Sequence, residues 1–187
     1  MQKNKNIRLV IIGSAGVGKT SLFDKIKKKT GLKALYEQAR IICQRMGYKN
    51  IYEIKNPNKF RFLTLKEQIR LEEKLNQFIS DRSTIDCWIH WVRWSFESSK
   101  TYESEKYFKL AFHQALKYSH IIYIPRLIKP KTDGFRWNNE DYQNQIDRLF
   151  KETLLEWQLM NRTHIIQSKI LKERVKETLD FINHQVS

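Results

Sequence analysis

Nine residues near the start of the chain, Gly13-Ser14-Ala15-Gly16-Val17-Gly18-Lys19-Thr20-Ser21, combine three glycines, a lysine and several hydroxyls. Glycines let successive backbone N–H groups turn inward onto one anion. A lysine at this spacing neutralises the outer phosphates of a nucleoside triphosphate, and the threonine hydroxyl is a hard oxygen ligand for Mg²⁺. The pattern G-x-x-x-x-G-K-[ST] carries this meaning when it follows a buried strand and opens a helix. Both conditions hold: the β-branched run Ile7–Ile12 precedes it, and "SLFDKIKKK" continues as helix-forming sequence to Gly31. The loop is therefore expected to bind ATP with Mg²⁺ through residues 13–21.

A phosphate cradle does not name a reaction. None of the six glycines has an aspartate three residues before it, and no Asn-Lys-x-Asp occurs, which argues against a signalling GTPase. Phosphoryl transfer to a hydroxyl needs a metal ion, cations along the transferring group and a carboxylate for the acceptor proton. In a parallel sheet these parts gather at strand carboxyl ends. Glu37 in "YEQAR" and Asp81 in "SDRS" stand at two such ends, and either could orient the acceptor; Asp81 is also a metal-ligand candidate beside Thr20. The structural alternatives are that Glu37 only starts a helix and that Asp81 only caps the one after Ser83. Arg82, Arg126 and Arg136 are the candidate stabilisers of transferring charge. Arg40 lies one helical turn from Glu37.

The elements that must position these groups follow from pattern. Strands are expected over 7–12, up to about Tyr36, and in "QFISDRS", "HIIYIP" and "THIIQS". Helices are expected between them, including Thr84–Phe96, Tyr102–Ser119, "EDYQNQIDRLFKETLLEWQLM" and a closing helix from Ile170. Thr64 with Glu67 reads as a capping box after a "NPNKF" turn. Strands alternating with helices imply a parallel sheet covered on both faces, in one domain over 1–187. The basic, proline-interrupted stretch at about 126–141 reads as a lid that keeps water from the phosphoryl group.

Lys plus Arg exceeds Asp plus Glu by 35 − 20 = 15, which admits nucleic acid or anionic lipid as a partner. No run approaches the roughly 20 apolar residues of a membrane span. Two cysteines, Cys43 and Cys87, without metal-type spacing fit a reducing, cytoplasmic compartment. Trp88, Trp91 and Trp94 drift along one side of a helix; core packing is favoured over a stacking wall for a base. Tyr36 and Phe135 are further candidates to bracket a base.

Taken in order, the cradle, "YEQAR", "FISDRSTID" and "DGFRWNNEDYQNQID" resemble the NadR-type AAA-domain P-loop proteins, relatives of nucleoside and nucleotide kinases. The resemblance covers nearly the whole chain. It implies a five-stranded parallel sheet flanked by helices, Mg-ATP at the cradle, and Glu37 and Asp81 facing the acceptor hydroxyl or metal. It implies Arg82 along the phosphoryl path and a lid at Asp133-Gly134-Phe135-Arg136. The expected activity is ATP-dependent phosphorylation of a small nucleoside-like or nucleotide-like acceptor. The alternatives are a kinase of nucleic-acid 5′ ends and a non-catalytic, nucleotide-dependent module binding anionic lipid or nucleic acid.

Overall fold

The computed structural model describes residues 6–127 and 140–184. Most of the expected lid, with Lys129, Lys131, Phe135 and Arg136, lies outside the described residues.

Strand β1 (Arg8–Ile12) holds four consecutive fully buried apolar residues, so it can sit only between two covered faces. It is the centre of a five-stranded sheet in the order β2 (Ala34–Leu35), β3 (Phe78–Asp81), β1, β4 (His120–Tyr123), β5 (Thr163–Ile165). Every pairing is parallel. The period-two alternation splits β1 between two cores. Val10 and Ile12 face a layer built from helices α3 (Pro57–Glu73), α4 (Thr84–Trp94), α5 (Thr101–Ala115) and α6 (Glu140–Glu156). Leu9 and Ile11 face α1 (Lys19–Thr30) and α7 (Leu171–His184). A short helix α2 (Gln38–Arg45) follows β2.

Local chemistry fixes the helix ends. Gly31 closes α1 in a left-handed conformation, its N–H donating to Lys27 O. Lys27, Lys28 and Lys29 occupy that last turn, against the negative end of the helix dipole, which gives part of the chain's basic surplus a local role. Helix α3 departs from expectation. It begins at Pro57, capped by Asn56, whose side chain accepts from Lys59 N at 3.0 Å. "NPNKF" is thus an N-terminus, with proline at the first helical position, where its missing N–H costs nothing. Thr64 is interior, donating to Phe60 O, and Glu67 pairs with Arg70, so the two form no capping box. Helix α5 also stops at Ala115, four residues before the expected Ser119.

Trp91 is fully buried and stacks on Tyr107 at 4.2 Å between ring centroids. Trp88 packs on Phe108 and Trp157. Two of the three tryptophans are therefore core, as expected; Trp94 is not.

Glu72 is fully buried where α3, α5 and β3 meet. It accepts from Gln68 Nε2 (2.7 Å), Gln114 Nε2 (2.7 Å) and Tyr118 OH (3.0 Å). Burial pushes its carboxyl up to about 7, against those three hydrogen bonds. The native state therefore holds this proton more tightly than the unfolded chain. Its stability is highest below the ordinary glutamate value of 4.5 and falls as pH rises from there to about 7. The size of that loss is about 3 kcal/mol. Glu72→Gln removes the titrating carboxyl and should flatten the slope of melting temperature between pH 4.5 and 7.5; the buried Gln114 Oε1, which has no partner among the described residues, can turn to accept from the new amide. An unchanged slope in the variant would contradict this.

Candidate active site

The register of the sheet delivers the chemistry to one edge. Ile11 of β1 lies beside Asp81 of β3, and Leu35 of β2 lies beside Ser80. Extending each strand by one or two residues brings the glycine loop, Asp81-Arg82 and Tyr36-Glu37 together at the carboxyl ends.

The loop has the form of a cradle. Gly13 has φ +141°, and a Cβ there would meet Ile124 O at 2.4 Å, so only glycine permits this approach to β4. Gly18, at φ +94°, caps α1 and aims that helix's positive end into the loop. Lys19 is buried, and its ammonium donates to Ser14 O across the loop. Among the described residues the buried Ser14 hydroxyl has no partner, as expected of a donor reserved for a bound phosphate. Thr20 Oγ1 donates to Asp81 Oδ2 at 2.7 Å. This hydroxyl–carboxylate pair at the cradle mouth is a hard-oxygen donor set that fits Mg²⁺. The residues present fit the phosphates of a nucleoside triphosphate with Mg²⁺.

Arg82 has a backbone φ of +97°, which is strained for a residue bearing a Cβ. Its N–H donates to Ile11 O at 3.2 Å. Its buried guanidinium meets Gly13 O (3.2 Å), Asp86 Oδ1 (2.9 Å) and Glu37 Oε1 (3.3 Å). Asp86 also closes a capping box with Ser83 at the start of α4; Ser83, not Asp81, caps that helix. Burial raises the Asp86 carboxyl above its ordinary range, against the pull of Arg82 and Lys19. Glu37 has a second, longer contact with Arg40 at 3.9 Å.

Beside the cradle lies a cavity of about 170 Å³. Ala15 of the loop, Glu37, Arg82 and Asp86 line it, as do Arg61, His90 and Trp94. Asp86, His90 and Trp94 are four residues apart on α4, so the cavity runs along two helical turns, about 12 Å. Trp94 is partly exposed, and its indole N–H donates to Tyr142 OH at 3.1 Å. Burial first, then the neighbouring Arg82, Arg61 and Lys19, push the His90 imidazole down to about 3, so it stays neutral.

Of the residues singled out in the sequence, 13–21, Glu37, Asp81 and Arg82 converge on this edge. Arg126 is directed elsewhere: its guanidinium meets Glu140 Oε1 and Asn144 Oδ1, both at 2.6 Å, tying the end of β4 to the start of α6. Tyr36 is half exposed and packs edge-on against Phe23. Sequence reasoning missed Arg61, although the stripe Asp86–His90–Trp94 was readable as one helix face. It also missed Arg174, whose Nε donates to Ser168 O (2.8 Å) and whose Nη1 donates to Val17 O (2.7 Å) beneath the cradle. No local pattern marks a contact that joins positions 157 residues apart.

Arg174 is therefore a positioning residue for the loop. Arg174→Met leaves two carbonyls without their donor and should cost about 1–3 kcal/mol of stability. It should also weaken ATP binding several-fold in calorimetry, with partial recovery in Arg174→Lys. Loss of stability with ATP affinity intact would contradict the positioning role.

Comparison with known proteins places this geometry. A family model described as an AAA domain matches residues 8–174. No curated protein matches the sequence. Among solved structures, a NadR protein in complex with NR superposes with a TM-score of 0.79 at 16% identity, over 97% of this chain and 52% of that one. A deoxyadenosine kinase from M. mycoides with bound dCTP gives 0.68 at 16% identity, over 94% of this chain and 98% of that one. The chain thus spans about half the length of the NadR protein and nearly all of the kinase. At such identities the likeness is one of fold. The family match covers most of the sequence, and on it the chain belongs to the AAA-domain family of P-loop NTPases, with the fold of nucleoside and nucleotide kinases.

Proposed function

We propose that the protein transfers the γ-phosphoryl group of Mg-ATP to a hydroxyl of a small nucleoside-like or nucleotide-like acceptor held in the cavity. The observation that carries this reading is that Ala15 of the cradle and the Glu37 carboxylate line the same cavity. A donor phosphate in the loop and an acceptor in the cavity would then meet at Glu37.

The roles follow from position. Loop amides and Lys19 hold the donor phosphates. Thr20 and Asp81 hold Mg²⁺, which when bound neutralises charge on the phosphate oxygens. With Asp81 engaged by Thr20, Glu37 is the better candidate to accept the acceptor's proton. Arg82 orients Glu37 through their ion pair, while its contact with Gly13 O fixes it to the cradle. Arg82 is thus positioned to offset charge as the phosphoryl group moves. Arg136 keeps its proposed role as a cation that offsets the transferred charge, whereas Arg126 is engaged with α6.

A small acceptor, rather than a polymer end, is favoured by the cavity's size. It falls below the roughly 300–1,000 Å³ of sites for drug-sized ligands.

Transfer from γ-labelled ATP should be screened against nucleosides, nucleotides and nicotinamide riboside. At least one should give a labelled product. Folded, ATP-binding protein that labels none of them would overturn the proposal. Glu37→Gln should lower turnover by about 10²–10⁴ with ATP affinity unchanged, the range for a lost general base. Asp81→Asn should instead raise the Mg²⁺ concentration needed for half-maximal rate.

A further inference from the structure

The charges lining the cavity are unevenly paired. Arg82 stands between the two carboxylates at the cradle end, 3.3 Å from Glu37 and 2.9 Å from Asp86. Arg61, on the second turn of α3, has no such counterpart. It is half-buried, and among the described residues no carboxylate lies within ion-pair distance of it. Among the described residues its side chain makes one hydrogen bond, from Nη1 to Ser95 Oγ at 3.0 Å. Ser95 ends α4, whereas Asp86 begins it, so Arg61 stands at the end of the cavity remote from the cradle.

The lining beside it is aromatic and uncharged. Tyr107, Trp94 and Tyr142 line that end, and His90 is neutral. A second cation lies nearby: the Arg93 guanidinium sits 4.8 Å from the Trp94 ring centroid and 5.7 Å from that of Tyr142. A guanidinium carries five donors, and withholding it from water without a counter-charge is costly. Such a group is suited to a ligand that brings the missing acceptors.

We propose, resting on the kinase reading above, that Arg61 selects acceptors whose ring end is electron-rich. These are nucleoside-like molecules bearing an oxo group or carboxylate opposite the reacting hydroxyl. An acceptor that presents an amino or amide N–H there, with no anionic oxygen to offset a net positive charge, is selected against, because its charge or its donors would meet a guanidinium that has only donors to offer.

Two matched pairs test this: inosine against adenosine, and nicotinic acid riboside against nicotinamide riboside. Each pair differs at one ring substituent. Binding is measured by calorimetry on the full chain, and transfer by labelled ATP. Inosine, with oxo in place of amino, and nicotinic acid riboside, with carboxylate in place of carboxamide, should each be favoured by about 10- to 100-fold, the factor carried by a hydrogen bond to a charged group. Arg61→Gln should bring that ratio toward one, and Arg61→Lys should retain part of it. Melting curves establish that both variants fold; if Arg61→Gln does not, the wild-type ratios and Arg61→Lys decide. Equal or reversed preference in the wild type overturns the inference, as does a ratio that Arg61→Gln leaves unchanged, or a failure of all four compounds to bind. If the compounds bind with the expected ratios but no phosphate is transferred, the kinase reading fails while the assignment of Arg61 stands.

Discussion

The guanidinium of Arg82 joins three segments that the chain keeps far apart. It reaches Gly13 O in the loop after β1, Glu37 at the start of α2 and Asp86 in the first turn of α4. The peptide that carries it is held against β1 by its own N–H, at the cost of a left-handed backbone in a non-glycine residue. Strain of this kind runs to about 1–3 kcal/mol and persists only where surrounding contacts over-determine the position. Here the contacts are ionic and buried, and removing one partner would leave the others uncompensated. The site is therefore pre-organised: the Glu37 carboxylate and the glycine loop are fixed to each other before any ligand arrives.

That arrangement depends in turn on the sheet. Parallel pairing puts all strand carboxyl ends on one edge, and the register of β1 with β3 sets Asp81 beside the root of the loop. A slip of one residue would turn Asp81 into a core and lift an isoleucine to the cradle mouth. The two apolar cores guard against that slip, since Val10 and Ile12 pack on one layer while Leu9 and Ile11 pack on the other.

Much of this was legible in the sequence. The loop declared itself because glycines, lysine and threonine each have a separate physical reason to stand where they do. Strands β1, β3 and β4 were legible because full burial on both faces leaves a run of apolar residues with no polar interruption. What was not legible depends on contacts across the fold. The cap of α3 was misplaced because "NPNKF" satisfies a turn and a helix start equally well; only the packing of Phe60 and Thr64 decides between them. The choice between Glu37 and Asp81 stayed open because both end strands, and it narrows once Thr20 is seen to engage Asp81. Arg61 carried no signal, since a lone arginine on a helix reads as solvated until the cavity beside it is known.

A crystal structure with Mg²⁺, a non-hydrolysable ATP analogue and a turned-over acceptor addresses the central claim most directly. The account predicts the acceptor hydroxyl in the cavity within about 2.6–3.2 Å of a Glu37 carboxylate oxygen, the reach of a general base. That same oxygen should face the terminal phosphate held by the loop. Finding the analogue's base in this cavity, or the acceptor bound elsewhere while Glu37 remains turned away from it, would contradict the account.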